Sequence, residues 1–474
     1  ITAAQGTLDN NYTYTFVDGI LTINPAPATV TAKNISRPYN TENPELTYTI
    51  SDASGAVITI PGMPSLATTA TPESPVGEYP ITAAQGTLDN NYTYTFVDGI
   101  LSITALPETI TIDPLIYTLI KGTINYSVNS CETSYNGEIL IPSSISVEEY
   151  PYSVTEIAEW AFYECSGITD ITISEGISFI KDGAFAGCSG LSAVTLPESL
   201  TSIGDGVFAG CTLLEQISIP DGITEIGNYS FFSCESLTEV NLPAGLTLIG
   251  EGAFSYCSAL SDIELPYELV KIDKQAFSEC SSLTEVSLPE GLNEIGDYSF
   301  LSCTSLTSVQ IPETVTLIGK MAFAGCTALN QIVIPASVEE IKTSAFEECS
   351  NLDKVYFSSS EPPSAGENLF AGCPETLVIC YPAGSQANWG TTWQGFPTQA
   401  CNSDGTPITL TITAIDQSRP YGTVNPELTY TITDETGAEF SVSGSPELST
   451  TATPESPVGE YPISIAQGTL DTNY

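Results

Sequence analysis

The sequence predicts a mainly-β chain in which a solenoid of 23-residue turns is flanked by small all-β domains of immunoglobulin-like size. Three observations predict it. Cysteine recurs every 23 residues from Cys165 to Cys349, with phenylalanine and proline in step. The segment 1–21 recurs identically at 81–101, and 69–92 recurs nearly unchanged at 451–474. Short runs in these segments alternate apolar and polar residues and are rich in β-branched and aromatic side chains, the pattern of half-buried strands.

The central repeat is the sharper one. Its cysteines are Cys165, Cys188, Cys211, Cys234, Cys257, Cys280, Cys303, Cys326 and Cys349, and Cys373 follows after 24 residues. Phe162, Phe185, Phe208, Phe231, Phe254, Phe277, Phe300, Phe323 and Phe346 keep the same step. Prolines do so from Pro197 to Pro335. Within one turn, Leu237, Val240, Leu242, Leu246, Ile249, Phe254 and Cys257 are expected to point inward. One turn cannot bury that set, whereas stacked turns can, so the repeat reads as a leucine-rich solenoid with one short strand per turn. At a strand spacing of about 4.8 Å, ten turns would form one continuous parallel sheet roughly 45 Å long. The solenoid is placed at 151–373. Residues 107–150 read as its β N-terminal cap, and 374–400, with Trp389 and Trp393, as its C-terminal cap.

The flanking repeat has period-2 runs such as Leu46-Thr-Tyr48-Thr-Ile50 and Tyr12-Thr-Tyr14-Thr-Phe16. Asp18-Gly19, between two such runs, reads as a hairpin turn. A complete unit is assigned to 27–106, the C-terminal part of another to 1–26, and a truncated one to 401–474. Ile1 falls inside a repeat, so the chain reads as a fragment. The lack of a signal peptide then says nothing about the parent protein.

Composition narrows the function classes. Asp and Glu total 57 against 10 Lys and Arg, a net charge of −47. Nucleic acid is a poor partner, because phosphate neutralisation needs clustered cations. The apolar runs fall far short of a membrane span. The charge suits a soluble, exported protein. There is no histidine, which removes Ser-His and Cys-His nucleophile pairs and imidazole metal ligands. No phosphate loop or nucleophile elbow is present, and nothing marks a pair of acids as catalytic, so no enzyme, no catalytic residue and no cofactor are expected.

The turn P-x-x-[VIL]-x-x-I-[GK]-x-x-[AS]-F-x-x-C-x-x-L resembles the BspA-type, or treponemal-type, leucine-rich repeat over about 151–373. The flanking units resemble the MBG domain of YGX type, with Arg419-Pro-Tyr-Gly422 carrying the signature. The copy at Arg37 has Asn40 in place of the glycine, in a turn that asparagine can also fill. The resemblance implies an exported, surface-displayed bacterial protein that adheres to host matrix or mucosal proteins or to other microbes, with no catalytic residues to carry over.

The cysteine ladder admits two readings, a chain of metal thiolates or small buried filler. Parallel Cβ atoms about 4.8 Å apart exceed the disulfide separation of about 3.8 Å, and no histidine or cation accompanies the thiols. Buried filler is therefore the reading, with no metal expected. Cys380 and Cys401 flank the C-terminal cap, and their spacing allows either a bridge or two free thiols.

Residues beside the central apolar position of each strand are expected to face solvent. Asp170, Glu239, Asn241, Asp262, Glu264, Glu285, Gln310 and Tyr356 are the candidate binding residues on this face. The central acids Glu239, Asp262, Glu264 and Glu285 suit a basic protein patch or Ca²⁺, against the alternative of a merely solvated strand face. The function expected is adhesion or scaffolding, with the solenoid as the presenting surface and the β domains as spacers. Glycan binding is the alternative. Stacked tyrosines or tryptophans, which would favour it, are lacking at the concave positions.

Overall fold

A computed structural model describes the chain except residues 1–5, 7–10, 132–134, 384, 403–407, 435, 436, 438, 441, 443 and 471–474. Parts of the recurring segments 1–21 and 451–474, and the side chain of Cys131, lie outside the described residues. The chain forms two compact units. One comprises Ile1–Glu108, Leu119–Ile124 and Ser144–Tyr152; the other comprises Thr109–Thr118, Asn125–Ser143 and Ser153–Tyr474.

In the first unit the complete repeat makes seven strands: β1 (Ala26–Ala32), β2 (Ile35–Pro38), β3 (Tyr48–Asp52), β4 (Ser65–Thr68), β5 (Gly77–Ala84), β6 (Tyr92–Val97) and β7 (Gly99–Thr104). They divide into two sheets, ordered β3-β1-β6 and β2-β7-β5-β4. Val30, Ile50, Ile60 and Leu88 form one core, and Ala70, Ile81, Leu101 and Ile103 another.

The hairpin expected from Asp-Gly does not form in this copy. β6 runs parallel to β1, whereas β7 pairs with β5 and β2, so Asp98-Gly99 carries the chain from one sheet to the other. Gly99 is required for a different reason from a positive φ. A Cβ there would sit 2.8 Å from the Ala32 carbonyl oxygen and 2.9 Å from that of Lys33.

Arg37 is fully buried without a carboxylate partner. Its guanidinium donates to Asn43 Oδ1 (2.8 Å) and to the carbonyls of Pro38 (3.1 Å) and Thr71 (2.6 Å). Asn43 Nδ2 in turn donates to the Ala70 carbonyl (2.7 Å). Arg419 repeats the arrangement on Asn425, Pro420 and Thr453. The planar, five-donor guanidinium can satisfy such a set of acceptors, which a lysine cannot. Asn40 adopts φ 63° and Gly422 φ 81°, the left-handed turn after the signature arginine.

The second unit holds the solenoid. Gly137–Ile141 pairs in parallel with Ile168–Ile173, and Tyr126–Cys131 with Tyr150–Ile157, so residues before the first turn supply strands to two ladders. In the repeat of residues 234–257, Leu237, Leu246, Ile249, Phe254 and Cys257 have no exposed surface and Val240 is 7% exposed. The phenylalanine rings from Phe162 to Phe370 stack in one column, each 5.0–5.7 Å from the next. Phe370 is closed over by Trp393 (6.1 Å) and Phe396 (5.8 Å), and Phe357 by Trp389 (4.9 Å).

Each interior cysteine donates its S–H to the carbonyl of the phenylalanine 26 residues before it, as Cys257 does to Phe231 at 3.2 Å. Cys188, Cys211, Cys234, Cys257, Cys280, Cys303, Cys326 and Cys349 are free and buried, while Cys165 and Cys373, at the ends of the column, are half-buried. Cys380 and Cys401 are joined in a disulfide, with Cα atoms 5.5 Å apart.

The expected single sheet is interrupted. One ladder ends at Glu239–Asn241, the next holds only Glu285–Ser287 and Ser308–Gln310, and a third starts at Gln331–Ile334. Residues 262–264 form no strand. They lie where Glu239, Asp262 and Glu285 occupy one slot in successive turns, and like charges opposite each other on neighbouring strands oppose pairing.

Two outcomes are expected. Phe254→Ala should cost about 3–5 kcal/mol in urea unfolding, from lost transfer energy plus a cavity; a loss under about 1 kcal/mol would remove the ring from the core. Burial pushes the Cys188 thiol up to about 12 and Cys373 to about 11, from an ordinary value of 9.0, and it raises Cys234, Cys257 and Cys280 well above that value. Unfolded thiols therefore ionise first, so the stability present below pH 9 falls as pH rises beyond it. Replacing Cys234, Cys257 and Cys280 by alanine should make that alkaline decline shallower by about 1.4 kcal/mol per pH unit for each thiol removed. An unchanged slope would mean that these thiols ionise alike folded and unfolded.

Candidate functional site

The mid-array strands Gln216–Ser218, Glu239–Asn241, Glu285–Ser287 and Ser308–Gln310 are three residues long and follow an exposed-buried-exposed pattern. The period of two turns the flanking residues outward. Glu239, Asn241, Asp262, Glu264, Glu285 and Gln310 are exposed, and Asp170 is half-buried. Asn241 Nδ2 donates to Glu239 Oε1 and to Ser218 Oγ, each at 3.2 Å.

Four of these side chains come together. Asp262, Glu264, Glu285 and Gln310 line one open cleft of about 760 Å³, at the interruption of the sheet. Asp170, Glu239, Asn241 and Tyr356 are outside its lining. No lysine or arginine is among the lining residues, while Glu290 adds a fourth carboxylate. Tyr267 adds a ring that is 73% exposed. Sequence reasoning missed Tyr267 and Glu290. Tyr267 directly follows Pro266 and Glu290 directly follows Pro289, so the proline column was the available signal for the rim.

Tyr356 is corrected. It was expected to face solvent, but it is only 8% exposed and packs with Cys380 and Cys401. The strand Val378–Pro382 pairs beside Lys354–Phe357 and brings the disulfide onto the ring. Near the end of an array the closing segment covers positions that are open in the middle.

A second surface follows the turns that close each repeat. Two positions per turn have positive φ: Trp160, Gly183, Gly206, Tyr229, Gly252, Gln275, Tyr298, Met321 and Ser344 in one column, and Glu164, Gly187, Gly210, Ser233, Tyr256, Glu279, Ser302, Gly325 and Glu348 in the other. This backbone aims N–H groups at the next turn: Tyr229 N–H meets the Glu251 carbonyl and Tyr256 N–H the Ser278 carbonyl, both at 2.8 Å. A non-glycine residue held there costs about 1–2 kcal/mol. Tyr229 is nevertheless 39% exposed and Tyr256 48% exposed. Phe232 joins them, with ring centroids 6.0 Å from Tyr229 and 5.5 Å from Tyr256. The Tyr229 hydroxyl donates to Glu251 Oε1 (2.6 Å), and this hydrogen bond pushes its pKa up to about 12.

Among the described residues no group of three potential metal-ligating side chains is gathered, and no helix is long and apolar enough to cross a membrane.

A family model described as the BspA type leucine rich repeat region matches residues 142–261 and 247–377, and one described as MBG domain (YGX type) matches 28–102 and 410–474. The chain belongs to the BspA-type leucine-rich repeat proteins. Its BspA-type repeats lie between MBG domains. A leucine-rich repeat protein from Bacteroides ovatus is 24% identical, over 62% of this chain and 100% of its own, with a TM-score of 0.33. A leucine rich cell surface protein from Faecalibacterium prausnitzii is 22% identical, over 61% of this chain and 98% of its own, with a TM-score of 0.33. The pneumococcal vaccine antigen PcpA is 19% identical, over 64% of this chain and 90% of its own, with a TM-score of 0.43. No curated protein matches the chain. BspA-type repeats make this a protein-interaction architecture of the leucine-rich class.

Proposed function

We propose that this chain is a non-enzymatic adhesion or scaffolding protein, exported to the bacterial surface or beyond it. The repeat array spans 151–373, with caps at 107–150 and 374–400 and β-domain spacers at 1–26, 27–106 and 401–474. The partners are host matrix or mucosal proteins, or other microbial surfaces, met through basic patches.

The observation that carries the reading is the cleft at the break in the sheet. Three successive carboxylates, Asp262, Glu264 and Glu285, line it with Glu290, and no base balances them there. The net charge of −47 extends the same field over the chain. Such a field steers a basic partner and raises its encounter rate. Glycan binding remains the second reading. The exposed ring of Tyr267 at the cleft favours it, because sugars stack on aromatic faces.

A panel of immobilised matrix and mucosal proteins, run beside a glycan array, separates the two. A protein partner should bind more weakly as salt rises, since the screening length falls from about 10 Å at 0.1 M to about 3 Å at 1 M. Changing Glu239, Asp262, Glu264 and Glu285 together to Gln or Asn should slow association at low salt by about tenfold or more and alter dissociation less. Unchanged rates would reduce these acids to a solvated face. Binding to glycans alone, lost with Tyr267→Ala, would install the second reading.

A further inference from the structure

We propose that the turn edge carrying Tyr229, Phe232 and Tyr256 is a second docking surface, for an arginine-bearing segment of a protein partner. It lies outside the cleft lining and does not depend on the cleft reading.

The first argument is backbone conformation. Tyr229 has φ 55° and Tyr256 φ 63°, in columns where Gly183, Gly206, Gly187 and Gly210 take the same conformation without a side chain and Gln275, Met321, Ser233 and Glu279 take it with a non-aromatic one. Glycine adopts that region freely, whereas a tyrosine is held there at a cost. The turn itself therefore calls for no aromatic side chain at either position. Burial does not explain Tyr256, whose ring is 48% exposed and touches Phe232 edge-on.

The second argument is what the rings face. The ring of Tyr298, in the same column as Tyr229, is taken by the chain's own Lys320, whose Nζ lies 5.6 Å from the centroid. At Tyr229 the equivalent residue of the next turn is Glu251, which accepts the tyrosine hydroxyl and pairs with Lys274 Nζ at 3.0 Å. Among the described residues, no lysine or arginine lies over the rings of Tyr229, Phe232 or Tyr256. Glu279 occupies the slot of Tyr256 one turn further on. Glu251 is already paired with Lys274, so the exposed aromatic faces and the chain's excess of 57 acids over 10 bases are what favour a further cation. Guanidinium suits them best, because it is planar, weakly hydrated and stacks on rings.

The test uses the full chain and a synthetic peptide of alternating arginine and glycine, titrated by calorimetry at 0.15 M and 0.5 M NaCl. Tyr229→Phe with Tyr256→Phe keeps the rings and should bind within about twofold of the parent. Tyr256→Gly with Phe232→Ala should weaken binding at 0.5 M salt by about fivefold or more, the size of one or two cation–π contacts. The quadruple cleft variant should retain that high-salt binding, so failure here and failure of the cleft reading give different patterns. Tyr256→Gly alone should leave the melting temperature unchanged or raise it by about 2–4 °C. Equal peptide affinity in the ring-deleted variant, or a melting temperature lowered by Tyr256→Gly, would overturn the proposal by making the rings inert or structural. A neutral oligosaccharide such as cellohexaose that binds the parent and competes with the peptide would overturn it in favour of a sugar platform.

Discussion

The solenoid depends on the stacking of each turn on the next at a fixed 23-residue offset. The Phe column at 5.0–5.7 Å is the apolar half of that constraint. The polar half is the set of hydrogen bonds that every turn passes to its neighbours, such as Phe254 N–H to the Ala276 carbonyl at 2.8 Å and the Cys257 thiol to the Phe231 carbonyl at 3.2 Å. Buried backbone groups must find partners, and a 23-residue turn with two- and three-residue strands cannot supply them internally. The offset is therefore enforced on the columns, not on every residue. The one 24-residue step keeps Phe370 stacked 5.7 Å from Phe346 and the Cys373 thiol 3.2 Å from the Phe346 carbonyl, because the extra residue falls in the connection between Phe357 and Ser364.

The same constraint separates structural columns from variable ones. The interior Phe and Cys columns keep one residue type because they touch copies of themselves, while the aliphatic columns of Leu237, Val240 and Leu246 exchange only among Leu, Ile and Val. The outward slots touch solvent and are free to differ, so the array can place Glu239, Asp262 and Glu285 in register without disturbing the column of rings. That placement has a local consequence, since the strand is lost at 262–264 and the cleft opens there. The turn edge behaves similarly. Its left-handed backbone is required for hydrogen bonding between turns, yet the side chain at that position is unconstrained enough to be glycine in one turn and tyrosine in another.

Stacking also explains the state of the thiols. A cysteine column within an apolar interior presents S–H groups to carbonyls along the array, and burial holds the thiols protonated. The disulfide Cys380–Cys401 lies outside that column, where two neighbouring strands of the closing segment bring the sulfurs together over Tyr356. Among the described residues the cysteines thus fall into two classes, separated by register.

The sequence by itself determined the period, the interior columns and the alternation of inward and outward residues on the concave face, because each follows from local spacing and from the need to bury Leu237, Phe254, Cys257 and their equivalents. It also marked Arg37 and Asn40 as a motif, without showing that the arginine ties Asn43 and Thr71 together. Tertiary structure decided what depends on a neighbour distant in sequence. Asp98-Gly99 joins two sheets because β7 finds β5 and β2, a choice invisible in a dipeptide that also suits a hairpin. Tyr356 is buried because the closing segment folds over it, although its slot is open in the middle of the array. Asp262, Glu264, Glu285 and Gln310 share a cleft while Glu239 stays outside its lining, because the sheet breaks between them. Periodicity reports which way a side chain points; only packing reports what meets it there.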